Sequence, residues 1–123
     1  MPPPRYTPEN IKKLGATLMN WKCGSEQILL RQFNGFFGGG WHRIHKIWLL
    51  IVDSWEYDEK LEPKHLLWAL MHCKQYTPET VLAAQAGVDK KTFQNWSHKV
   101  RSILSNAIHK KVKKSFVSSL FYY

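Results

Sequence analysis

Apolar side chains along this chain return at intervals of three and four residues, the spacing that lines them up on one side of a helix. The clearest case is Trp41, Ile44, Trp48, Ile51 and Trp55, which predicts a helix from Trp41 to Trp55 with a single buried face. Ahead of it, Thr7 can cap a helix whose first turn holds Pro8 and Glu9, and the pattern carries that helix to about Trp21. Lys22 to Gly24 interrupt the pattern. Ser25 and Glu26 then start a second helix through EQILLRQF, ending near Gly35, and FFGGG at 36 to 40 reads as a flexible joint. Pro63 opens PKHLLWALMHCKQY, a helix that would bury Leu66, Leu67, Leu70 and Met71. Thr77-Pro78-Glu79 repeats the arrangement of Thr7-Pro8-Glu9 and predicts the same kind of cap.

Residues 78 to 109 carry a more demanding pattern. Two helices that cross steeply through a turn of three or four residues need a small side chain where they touch and a residue in the turn that accepts a left-handed backbone. Ala83 and Gly87 stand at those positions, and Leu82, Ala86, Val88, Phe93 and Trp96 supply the apolar positions around them. Asp89 can cap the second helix, whose apolar stripe is Phe93, Trp96, Val100, Ile103, Leu104 and Ala107. The pattern is that of a helix-turn-helix. An αα-corner of purely structural use, its charges solvating an exposed face, has the same spacing.

Charge changes the picture. The chain has 18 Lys and Arg against 9 Asp and Glu, a formal net charge of +9, and a pI near 9.7, a balance that attracts polyanions. Asp89 is the last acidic residue; beyond it come Lys90, Lys91, Lys99, Arg101, Lys110, Lys111, Lys113 and Lys114. At about 100° per residue, Lys91, Gln94, Asn95, His98 and Ser102 point away from the apolar stripe, with Lys90, Lys99 and Arg101 on its flanks. Amides can bind adenine bidentately, lysine can reach guanine acceptors, and flanking cations can neutralise phosphates.

Other chemistries find less support. DSWEYDEKLE gathers Asp53, Glu56, Asp58, Glu59 and Glu62, but without a partnering His motif it reads as a solvated loop. His42 and His45 share a helical face and His72 adjoins Cys73, which is too little for a metal centre. Cys23 and Cys73 lack zinc-finger spacing and read as free buried thiols. Tryptophans 21, 41, 48, 55, 68 and 96 fall on helical stripes and so read as core rather than as a stacking platform for single strands. FFGGGW lacks the lysine and hydroxyl of a phosphate-binding loop, and no Ser-His-Asp order with a glycine elbow occurs. The longest apolar run, IWLLIV at 47 to 52, is far short of the roughly 20 residues of a membrane span.

The stretch from RQFNGFFGG through PKHLLWALMHCKQYTPETVLAAQAGVDKKTFQNWSHKVRSI resembles the N-terminal region of PIF/Harbinger-like transposases of the DDE superfamily. In that family a segment of the form R-F-x-x-F-F-G precedes an LLWAL helix with a later Tyr and a GVD-x-KTF-x-x-W sequence. The matching residues are Arg31, Phe33, Phe36, Phe37 and Gly38; Leu66 to Leu70 with Tyr76; and Gly87, Val88, Asp89, Lys91, Thr92, Phe93 and Trp96. Together they span a little over half of the chain. The resemblance implies a helix-turn-helix module that would bring a transposase, the protein of a transposable element, to its DNA. The family's endonuclease domain, with three metal-holding carboxylates, follows this module. Here the chain runs into KKVKKSFVSSLFYY, and no carboxylate side chain follows Asp89. That departure implies binding without catalysis by this chain, as in a truncated gene product, a domesticated remnant, or a piece of something longer.

The expectation is an all-α, five-to-six-helix domain with a C-terminal helix-turn-helix: residues 1–6 an extended lead-in, 7–109 the helical DNA-binding domain with the helix-turn-helix at 78–109, and 110–123 a basic and hydrophobic tail. The residues assigned to DNA are Lys90, Lys91, Gln94, Asn95, His98, Lys99 and Arg101, with no catalytic residue, metal or cofactor. The expected partner is double-stranded DNA, with no membrane and no small-molecule substrate. KKVKK can serve as a nuclear localisation patch, which places the chain in the nucleus. A role of another class is a protein-interaction module, in which the apolar tail and the tryptophan helix join a separate nuclease or larger complex. A third reading is charge-driven nucleic-acid binding without sequence preference.

Overall fold

A computed structural model describes residues 6–22, 24–53, 60–75 and 77–121, with 108–121 as backbone alone. Six helices account for most of it: α1 Pro8–Leu18, α2 Glu26–Phe37, α3 Trp41–Val52, α4 Pro63–Lys74, α5 Glu79–Ala86 and α6 Lys90–Phe121. No strand occurs among the described residues, so the domain is all-α.

Local chemistry sets most of the helix limits. Thr7 Oγ1 accepts the Asn10 amide at 3.2 Å, and Asn10 Oδ1 accepts the Thr7 amide at 2.9 Å, a reciprocal cap that starts α1. That helix stops at Leu18 rather than running to Trp21. Asn20 turns left-handed at φ 56°, and its amide and that of Trp21 close onto the Thr17 and Ala16 carbonyls at 3.1 and 2.9 Å. Asparagine tolerates this backbone better than other residues with a side chain. Ser25 Oγ caps α2 through the Ile28 amide at 3.3 Å. α2 passes Gly35 and ends at Phe37, because Phe33 and Phe37 are both buried one turn apart, ring centres 4.8 Å from each other. Gly38, at φ 84°, then ends it. Residues 36–40 are therefore not a flexible joint: Phe36 and Phe37 are helical and Gly39 is buried.

In α3, Trp41, Ile44, Trp48 and Ile51 form the buried stripe that their spacing predicts, and the helix ends at Val52. Trp55 and residues 54–59, with most of the acidic segment, lie outside the described residues, as does Cys23. Helix α4 is the axis of the fold, since it touches α1, α2, α5 and α6. It buries Pro63, His65, Leu66, Leu67, Trp68, Ala69 and Met71, and a helix apolar over so much of its circumference belongs in the middle of a bundle. In its final turn Met71 stays buried while Cys73, on the other side of the helix, is exposed instead of buried, and Leu70 is only partly covered.

Candidate nucleic-acid interface

The corner between α5 and α6 begins differently from its sequence. Thr77 does not cap α5; Pro78 occupies the cap position, with no side-chain hydrogen bond there, and Glu79 is the first helical residue. The likeness to Thr7-Pro8-Glu9 fails because the helix starts one residue later relative to its proline, which leaves Glu79 to pair with His72 on α4 at 3.4 Å. The far end of α5 has the expected form. Gly87 is left-handed at φ 79°, its amide reaches the Ala84 carbonyl at 3.1 Å, and the Val88 amide reaches that of Ala83 at 3.0 Å. This double closure is a Schellman turn. A Cβ on Gly87 would meet open space, so glycine is needed there for its backbone conformation and not for room. Leu82 and Ala83 are buried at the crossing.

Asp89 starts α6. Its carboxylate accepts the Thr92 hydroxyl and the Thr92 amide, and the hydroxyl contact is the larger influence holding its pKa below the ordinary 3.8. The buried side of α6 follows: Phe93, Val100 and Ile103 are in the core, and Trp96 and Leu104 pack against it. Aromatic contacts fix this side on α4. Phe93 stacks on Trp68 at 5.9 Å, and Trp96 lies parallel to His65 with ring centres 4.0 Å apart and planes 6° from each other.

Nothing in the chemistry of the sequence singled out His65; its position one turn before Trp68 was the only available sign. Burial, with Lys64 and Lys99 nearby, pushes its pKa down to about 4, and its Nδ1 accepts the Glu62 amide at 3.0 Å. The unfolded chain therefore binds a proton at this position below the ordinary 6.5, while the folded chain resists until about 4. Stability should fall as pH drops through that window, by about 2 kcal/mol after allowance for solvent screening. Denaturant unfolding across the window, compared with His65→Phe, measures it. A variant that keeps the full pH dependence would assign it elsewhere. Asp89 does not confuse the measurement, because a depressed carboxylate loses its contribution only below its own ordinary 3.8.

On the opposite side of α6, Lys90, Lys91, Asn95, His98 and Ser102 are exposed, and Gln94, Lys99 and Arg101 are partly covered. All seven residues assigned to DNA thus lie on or beside one surface, with Gln94 nearer its edge than the helical wheel predicts. An Arg101 Nη2 donates to His98 Nδ1 at 3.1 Å. A guanidinium has only donors, so this bond places the His98 proton on Nε2, as a donor for an outside acceptor. The Lys99 ammonium stands 5.5 Å from the centre of the Trp96 ring, and Asn95, Trp96 and Lys99 line a hollow of about 280 Å³.

Other candidates disperse. His45 Nε2 bonds the Tyr6 carbonyl at 3.0 Å while His42 is exposed, and among the described residues no group of three or more His, Cys, Asp or Glu converges. No helix among the described residues is long and apolar enough to cross a membrane. The backbone of α6 continues as helix through the basic run to Phe121, so no break in secondary structure falls at 109. Comparison of the chain with protein-family models, with curated proteins and with solved structures gives no match.

Proposed function

We propose that this chain binds duplex DNA by laying the exposed side of α6, from Lys90 to Ser102, in the major groove. The observation that supports this most is a row of donor-bearing side chains, Lys91, Asn95, His98 and Ser102, one turn apart on a helix that itself carries no carboxylate side chain. The helix presenting them is fixed in tilt by the Gly87 turn and by the Phe93 and Trp96 stacks. Gln94 and Asn95 suit adenine, Lys91 suits guanine, and the Nε2 proton of His98 suits a base or phosphate acceptor. Lys90, Lys99 and Arg101 flank the row as phosphate contacts. The module is of the kind that would deliver a transposase to its DNA in the nucleus, with strand cleavage left to a separate nuclease rather than to this chain. A protein-interaction role draws less from the molecule, since Trp41 and Trp48, the aromatic anchors it would offer, are buried in the core.

The test is a Lys91→Ala/Asn95→Ala double variant, read by fluorescence anisotropy on a labelled duplex selected from a random pool. Affinity should fall about tenfold, with the helical circular dichroism intact because both side chains are exposed. Unchanged duplex affinity would remove the reading. Competition by random-sequence duplexes separates sequence-directed binding from attraction by charge alone.

A further inference from the structure

Beside the His65–Trp96 stack, the hollow of about 280 Å³ offers two polar groups, the Asn95 amide and the Lys99 ammonium, against an indole wall. A second ammonium, that of Lys64, stands on the α4 side; it is 6.0 Å from the Trp68 ring centre and 3.3 Å from the Glu62 carboxylate. Lys64 and Lys99 both act on the His65 ring as positive neighbours, with the Glu62 carboxylate opposing them. A nucleobase could not lie on the indole without displacing His65, at 4.0 Å, or the Lys99 ammonium, at 5.5 Å. A compact anion needs neither displacement: it can take the amide proton and the ammonium together as charge-assisted hydrogen bonds.

We infer that this hollow seats a backbone phosphate of the duplex, donated to by Asn95 Nδ2 and Lys99 Nζ, the two polar groups that line it. The inference rests on the DNA-binding reading and changes one assignment within it. Asn95 passes from the base edges to the backbone, where it sets how far α6 enters the groove, and sequence reading stays with Lys91, Gln94 and His98.

The experiment measures affinity for several duplexes of different sequence against salt concentration, for the unaltered chain and for Lys99→Met, Lys99→Arg and Asn95→Ala. Lys99→Met keeps the aliphatic stem on the indole and removes the charge. It should flatten the slope of log affinity against log salt by about 0.9, with Lys99→Arg restoring it. Asn95→Ala should weaken every duplex by the same factor. An unchanged slope for Lys99→Met, or an Asn95→Ala loss that differs by about tenfold between sequences, overturns the seat and leaves DNA binding standing. Failure of the unaltered chain to bind any duplex overturns both.

Discussion

Phe93→Ala should destabilise the protein by about 3–5 kcal/mol, a large share of what a domain of this size possesses. The ring is fully buried where α6 meets α4, 5.9 Å from Trp68 and 6.0 Å from His72, ring centre to ring centre. Removing it forfeits the transfer of a benzyl group out of water and leaves a void between two helices whose neighbouring contacts, His65 with Trp96 above all, hold them apart. The cost is read from urea or guanidinium unfolding. Duplex affinity should fall with it, in contrast to Lys91→Ala/Asn95→Ala, which should weaken binding with no loss of fold. A cost below about 1 kcal/mol would mean that α6 is not docked on α4 through this residue.

Gly15→Val should cost about 3 kcal/mol, through overpacking rather than loss. A Cβ at residue 15 falls 2.2 Å from both Cε2 and Cζ of Phe33 and 3.1 Å from Cε2 of Phe37, where carbon atoms settle at about 3.5–4.0 Å. Phe33 has nowhere to go. It is completely buried, 4.8 Å from the Phe37 ring and edge-on to Trp41 at 5.4 Å. Mid-helix glycine concedes about 1 kcal/mol of propensity to alanine, so Gly15→Ala recovers part of the clash energy, while the two extra methyls of valine recover none. Thermal unfolding of the alanine and valine variants side by side gives the order. Because α1 makes no part of the α6 surface, duplex affinity measured below the melting transition should be unchanged, and equal losses of stability and affinity would contradict that separation.

Patterns enforced by local rules were legible in the sequence. The stripe of α3 is visible because each member repeats one geometric interval, and the α5–α6 corner is visible because a close crossing restricts residue 83 to something small and residue 87 to glycine. The exposed side of α6 follows as the complement of its stripe. Helix ends were less accessible, since they depend on which of several residues takes a positive φ first: Asn20 does so ahead of Gly24, which also has a positive φ, and Gly38 does so although Gly35 precedes it. Pro78 shows the same limit, for a threonine-proline-glutamate string fits two cap registers equally well. Long-range pairing was not legible. That His65 would lie flat on Trp96, that Arg101 would set the proton of His98, and that Cys73 would fall outside the core all depend on how α4 sits against α6. No periodicity within either helix contains that information.

The central position of α4 also decides what can be cut away. The α5–α6 corner packs on α4, with Phe93 stacked on Trp68 and Trp96 on His65, and α4 in turn contacts α1 and α2. An excised two-helix peptide would expose Phe93, Val100 and Ile103 to water and lose the stacks on α4 that set the tilt of α6. The motif is therefore not portable: brief as it is, it leans on α4 and through α4 on α1 and α2, and a fragment that keeps its shape has to retain Tyr6, whose ring lies edge-on to Trp48 at 5.8 Å.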